Sequence, residues 1–114
     1  MLHIPQIKKS LGIEQIYTEY YSWRSKCSTP AAQIDLLIER ADHLINLCEI
    51  KYSQSPYSIT KEEELRIRTR MADFVGETGV RHGILPTLIT TFGIRPTAHS
   101  AIAQVQLTMD DLFT

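Results

Sequence analysis

Apolar residues recur along this chain with two different periods, and the changes of period divide it into elements. Ile4, Ile7 and Leu11 repeat at helical spacing, Pro5 suits a first helical turn and Gly12 a stop, which predicts a very short first helix. Ile16 to Arg24 is rich in β-branched and aromatic residues and reads as a strand, followed by a loop over Lys26 to Ala31. Two further strands, Gln33 to Ile38 and Ile45 to Lys51, form a hairpin with its turn near Ala41, Asp42 and His43. Gln54 to Ser58 is a loop. Thr60-Lys-Glu-Glu63 is a capping box opening a long helix, whose broad apolar side (Leu65, Ile67, Met71, Ala72, Phe74, Val75) runs to about Glu77. Gly79 and Gly83 flank its exit. Leu85 to Phe92 reads as a fourth strand, with Pro86 tolerable only near its start. A turn from Gly93 to Thr97, a fifth strand from Ala103 to Leu107 and a last turn capped by Thr108 complete the chain.

The expected order is α-β-β-β-α-β-β. The crossover from the third strand through the long helix to the fourth should be right-handed and parallel, giving a mixed central sheet with a helix on each face, in the α/β (α+β) range. No internal repeat, low-complexity tract or linker interrupts it.

The hairpin carries the candidate chemistry. Side chains alternate along a strand, so Glu49 and Lys51 share a face, about 6.5 Å apart. If the turn is centred on Asp42, Asp35 lies opposite Glu49. A slip of one residue would swap the buried and polar faces, so the hydrophobic pattern resists it. Two carboxylates and an ammonium then converge, a set that looks like a metal-dependent phosphodiester site. Mg²⁺ (or Mn²⁺) binds through one or two carboxylates and keeps waters that phosphate oxygens can replace, and Asp35 and Glu49 suit that role. Lys51 can steady the attacking water or the charge developing on phosphate. The plain alternative is a cross-strand salt-bridge set on a solvated face, worth only tenths of a kcal/mol per pair. The flanking Leu36, Leu37, Ile38, Ile45, Leu47, Cys48 and Ile50 argue instead for interior strands, where charges are rarely kept unless they pair or bind something.

Other residues have two readings each. Gln33, two residues before Asp35, could hydrogen-bond a metal-bound water or phosphate, or pair with a neighbouring strand. Tyr52 and Ser53 could touch substrate, though a loop boundary explains them as well. Arg66 and Arg70, with Arg68 and Lys61, could track a phosphate backbone; such stripes are more often solvated faces paired with residues like Glu62, Glu63 and Glu64. Trp23 and Arg24 could stack on bases, but packing against the hairpin is the commoner use. His3, His43, His82 and His99 show no metal-ligand spacing, and no phosphate-cradling glycine loop is present.

Composition narrows the class. At 114 residues the chain is long enough for one domain with its own core. A formal charge of -1 gives no global pull toward nucleic acid, so affinity for phosphates must come from a local patch. Cys27 and Cys48 need no disulfide, which suits a reducing cytoplasm. There is no apolar run of bilayer-spanning length, and Met1-Leu-His-Ile-Pro5 resembles no secretory signal.

Gln33-Ile-Asp-Leu-Leu-Ile38 followed by Leu47-Cys-Glu-Ile-Lys51 resembles the core of the PD-(D/E)XK, or restriction-endonuclease-like, nuclease superfamily. More narrowly, the chain resembles the C-terminal nuclease-like domain attached to bacterial and archaeal AAA-type ATPases. That likeness extends over Ile7-Lys-Lys-Ser-Leu-Gly-Ile13, Tyr21-Ser-Trp-Arg24, Thr87-Leu-Ile-Thr-Thr-Phe-Gly93 and Thr108-Met-Asp-Asp-Leu-Phe113. It implies a sheet flanked by helices, Asp35 and Glu49 as metal ligands, Lys51 as catalytic lysine, and nucleic acid, DNA or RNA with DNA favoured, as substrate. It also implies an ATPase domain in the same longer chain. Members often carry a further acid on the first helix, whereas here no Asp or Glu precedes Glu14. Residues 1–114 are therefore expected to be a single nuclease-like domain, the C-terminal part of a longer protein that lacks the start of that helix. Two other expectations stand beside this: a non-catalytic nucleic-acid-binding or regulatory module of an ATPase, and a scaffold that mediates a homodimer.

Overall fold

The computed structural model describes residues 4–26 and 32–112. Most of the expected Lys26 to Ala31 loop, with Cys27, lies outside the described residues, as do His3 and Phe113. The elements are α1 (Ile4–Leu11), β1 (Thr18–Arg24), β2 (Gln33–Arg40), β3 (Leu44–Lys51), α2 (Lys61–Thr78), β4 (Gly83–Thr90), a 3-10 turn (Ser100–Ile102), β5 (Val105–Thr108) and α3 (Met109–Leu112). The fold is α+β, in the expected element order. One mixed sheet runs β1-β2-β3-β4-β5, antiparallel from β1 to β3 and parallel from β3 to β5.

Sequence chemistry explains the punctuation. Gly12 takes a left-handed conformation (φ 72°) just past α1. The Thr60 hydroxyl accepts a hydrogen bond from the Glu63 backbone N–H and opens α2, while Gly79 (φ 70°) closes it by donating to the Val75 carbonyl. The hairpin loop is Ala41 to His43: the His43 N–H donates to the Arg40 carbonyl at 3.2 Å, and His43 itself is left-handed (φ 64°). Arg40 pins this turn through a 2.6 Å ion pair with Asp42, and that guanidinium holds the Asp42 carboxyl below its ordinary value.

Two apolar layers sit on the sheet. On the α1 side Ile7 and Ile13 pack with Leu36, Ile38, Cys48, Ile89 and Leu107. On the α2 side Phe74 packs with Ile34, Leu37, Ile45 and Leu47. β3 is therefore buried on both faces. Its one interior polar side chain, Asn46, is satisfied within the fold: it donates to the Thr87 hydroxyl at 3.0 Å and accepts from Arg40 at 3.2 Å.

The β2–β3 ladder pairs Glu39 with Ile45, Leu37 with Leu47 and Leu36 with Cys48. That is the register in which Asp35 falls opposite Glu49 at the next step. On its other edge β2 is bulged. Tyr21 pairs with Leu37 but Trp23 with Ile34, so Asp35 and Leu36 together face the single residue Ser22. The bulge is why Ile34 and Leu37, an odd number of residues apart, pack in the same layer.

Strand boundaries differ from the sequence expectation in every strand, though β2 only runs on to Arg40 and β3 only starts one residue early, at Leu44. β1 begins at Thr18 instead of Ile16, because the Ile16 N–H donates to the Ile13 carbonyl and its side chain packs against the α1 layer. β4 runs two residues earlier than expected, since Gly83 already pairs with Leu44 and its N–H donates to the His43 carbonyl at 3.0 Å. Phe92 consequently leaves the sheet and is exposed. Pro86 is tolerated inside β4 because the β5 ladder begins only at Thr87. β5 starts late, at Val105, because Ser100 to Ile102 form the 3-10 turn.

Trp23 meets Phe74 edge to face, with centroids 5.4 Å apart, so Trp23 is a packing residue joining β1 to α2. Replacing the fully buried Phe74 by Ala is expected to cost about 3–5 kcal/mol, read as a lower urea midpoint. Val75→Ala, on the exposed side of α2, should leave that midpoint nearly unchanged.

Candidate charged site at the carboxyl end of the third strand

β3 ends on the α2 side of the sheet with Glu49 and Lys51, beyond the apolar layer formed by Ile45 and Leu47. The face of α2 turned toward it carries Glu63, Ile67, Arg70 and Phe74, a stripe at helical spacing in which Ile67 and Phe74 are buried. The stripe places a cation over Glu49 and a carboxylate near Lys51. Arg70 forms a hydrogen-bonded ion pair with Glu49. Lys51 Nζ lies 3.8 Å from Glu63 Oε2.

A cavity of about 350 Å³ opens here. Its polar walls are Gln33, Asp35, Glu49, Lys51 and Arg70, and Cys48 and Ile50 complete its lining. Asp35 is exposed on the bulge of β2, and its Oδ1 accepts a 2.9 Å hydrogen bond from Gln33 Nε2. Gln33 therefore orients Asp35. Burial pushes the Cys48 thiol up to about 12, with the Glu49 charge adding to the effect, so this residue stays a neutral thiol.

The structure brings five of the seven residues singled out from sequence to one cavity and leaves two outside. Tyr52 is 76% exposed, and the next residue, Ser53, donates its N–H to the Thr91 hydroxyl at 3.2 Å, which makes this a loop boundary. Arg66 is exposed and does not line the cavity. Arg68 pairs with Glu64 at 3.6 Å along the helix, the ordinary solvated arrangement. Arg70 differs because it sits one turn further along, on the sheet-facing stripe.

Sequence reasoning missed Tyr57 and the use of Glu63. The capping box accounts for the Glu63 backbone, but the Glu63 carboxylate accepts from the Tyr57 hydroxyl and faces Lys51. Tyr57 is held by its own backbone, its N–H donating to the Gly93 carbonyl and its carbonyl accepting from the Arg95 N–H, both at 2.8 Å. No local sequence signal marks this bridge, which spans from residue 57 to residue 94.

Among the described residues no group of three or more His, Cys, Asp or Glu is arranged to hold a metal ion. Asp35 and Glu49 are the residues that would hold a hard divalent cation if one bound here. Asp35 and Glu49 supply carboxylate oxygens on neighbouring strands, and Mg²⁺ takes one or two such ligands and fills the rest with water. Glu49 Oε1 is held by Arg70. A larger groove of about 530 Å³ lies elsewhere, between α1 and the β1 edge. Its walls include Ile4, Pro5, Tyr17 and Tyr20, and its Lys8 ammonium donates to the Ile16 carbonyl. The polar cavity at the end of β3 gathers two carboxylates, an ammonium and a guanidinium.

No protein-family model matches the chain, and no curated protein matches it. Among solved structures, the crystal structure of AF1548, a protein of unknown function, is similar, with a TM-score of 0.57 at 17% identity. The match covers 89% of this chain and 53% of that one, so the chain spans about half the length of that protein. At this identity the likeness concerns the fold alone. No helix among the described residues is long and apolar enough to cross a membrane.

The Tyr57 hydroxyl is pushed up from 10.0 to about 12, first by burial and then by the Glu63 carboxylate it bonds. Its folded value exceeds its unfolded one, so its contribution to stability is complete below pH 10 and lost as pH climbs to about 12. Urea midpoints measured across that interval should fall less steeply for Tyr57→Phe than for the unaltered chain. Equal slopes would place Tyr57 away from Glu63.

Proposed function

We propose that this chain is a metal-dependent phosphodiester hydrolase domain of the PD-(D/E)XK type, acting on nucleic acid, DNA in preference to RNA. The observation that supports the reading is the shared cavity: Asp35 and Glu49 from adjacent strands, with Lys51 two residues further on, line one polar recess at the end of β3. Asp35 and Glu49 would hold Mg²⁺ or Mn²⁺, which when bound polarises the phosphoryl oxygens and acidifies a coordinated water. Gln33 fixes the Asp35 carboxylate. Glu63 holds the Lys51 ammonium near the carboxylates, where it steadies the attacking water and offsets their mutual repulsion. The same reading includes an ATPase domain in the same longer chain and a cytoplasmic setting. The free, buried Cys48 fits a reducing compartment.

One observation favours a second reading. The Glu49 carboxylate is paired with Arg70, as it would be in a scaffold kept for nucleic-acid binding or regulation of an ATPase without catalysis, or for homodimer formation.

The test is cleavage of end-labelled single- and double-stranded DNA and RNA with Mg²⁺ or Mn²⁺. Glu49→Gln and Lys51→Ala should each lower the rate by roughly 10²-fold or more. Variants that cleave as fast as the unaltered chain would reject these roles. A chain that cuts none of the substrates favours the non-catalytic reading.

A further inference from the structure

The two charged residues at the end of β3 are partnered in different ways. Glu63 is held from several sides: its backbone N–H donates to the Thr60 hydroxyl, and its carboxylate accepts from Tyr57 and faces Lys51. Lys51 is thereby tied to a fixed partner. Arg70 is tied differently. Its guanidinium pairs with Glu49 through one nitrogen while the residue lines the cavity. A guanidinium has five N–H donors in a planar fork, and its geometry matches a phosphate as well as a carboxylate.

The charge balance adds a second constraint. On the cavity wall itself the charges cancel, Asp35 and Glu49 against Lys51 and Arg70, with Glu63 beyond the wall facing Lys51. The recess therefore has no net attraction for a phosphodiester. A bound divalent ion would make it positive, and would compete with Arg70 for Glu49, whose Oε1 the guanidinium holds. The cavity has room for roughly ten waters' worth of volume, enough for both an ion and a displaced guanidinium.

We propose that Arg70 is an exchangeable counter-ion: it neutralises Glu49 in the absence of a cation, and turns its guanidinium onto a nucleic-acid phosphate once a divalent cation occupies that carboxylate. Nucleic-acid binding at this site is thereby made to follow cation binding. The inference rests on the reading of Asp35 and Glu49 as a cation site.

Mn²⁺ binding measured by calorimetry tests the exchange directly. Arg70→Met should bind Mn²⁺ more tightly by something on the order of tenfold, because a competing charge is gone. Arg70→Lys should stay near the unaltered chain, and Glu49→Gln should lose the binding. DNA affinity, followed by anisotropy in a Lys51→Ala background that keeps the strand intact, should rise about tenfold on adding Mg²⁺. Adding Arg70→Met to that background should abolish most of the rise. If Mn²⁺ binds through Glu49 but no more tightly to Arg70→Met, the exchange is wrong and the cation site stands. If no Glu49-dependent Mn²⁺ binding exists, the site reading itself fails and takes this proposal with it. Should Arg70→Met not fold, the unaltered chain still decides. Its Arg70 Nε–Hε resonance must move as Mg²⁺ saturates the site, and an unmoved signal overturns the proposal.

Discussion

Burial of β3 on both faces is the constraint from which the rest follows. Ile45 and Leu47 are sealed under α2, while Asn46 and Cys48 are sealed on the α1 side. A strand placed this way can carry polar groups only where the surroundings supply partners. Asn46 obtains them from Arg40 and Thr87. Glu49 and Lys51 obtain them from the sheet-facing stripe of α2, where Arg70 and Glu63 interrupt an otherwise apolar surface. The helix thus does two jobs along one face. Its Phe74 end closes the core, and its Glu63 to Arg70 span compensates the charges that the strand carries past the core's edge.

That division gives the charged cavity its character. It is a recess lined by two carboxylates and two cations that already balance one another, beside a thiol kept neutral. Parallel strands β3 and β4 deliver their carboxyl ends to the same side of the sheet, where open α/β sheets place their binding crevices. The bulge at Asp35 re-aims β2 at that margin, so that a residue from the antiparallel half reaches a site built on the parallel half.

Much of this was legible in the residue pattern. Thr60 and Gly79 mark the ends of α2 through local chemistry, and the structure places them there. The hairpin register followed from alternation about Asp42, because a one-residue slip would have turned Leu37 and Leu47 outward. Other features were not legible, for physical reasons. The bulge depends on how β1 pairs with β2, which the hydrophobic run from Ile34 to Ile38 does not encode. The early start of β4 is set by Gly83 docking beside Leu44 across a parallel pair, a long-range contact. Arg66 and Arg70 look alike in a one-dimensional pattern. Only the rotation of α2 about its axis, fixed by Ile67 and Phe74, sends Arg70 to Glu49 and Arg66 to solvent. Tyr57 was invisible because it is fixed in place through Gly93 and Arg95, far along the chain.

Cys48 borders the recess, and its burial has a chemical consequence. Its side chain packs in the apolar layer with Ile7, Ile38 and Ile89, where burial disfavours the thiolate that electrophiles and oxidants attack. The strand thus turns its sulfur to one face and its carboxylate to the other, and a species entering the recess would face the oxygens of Asp35 and Glu49 with that thiol behind the sheet.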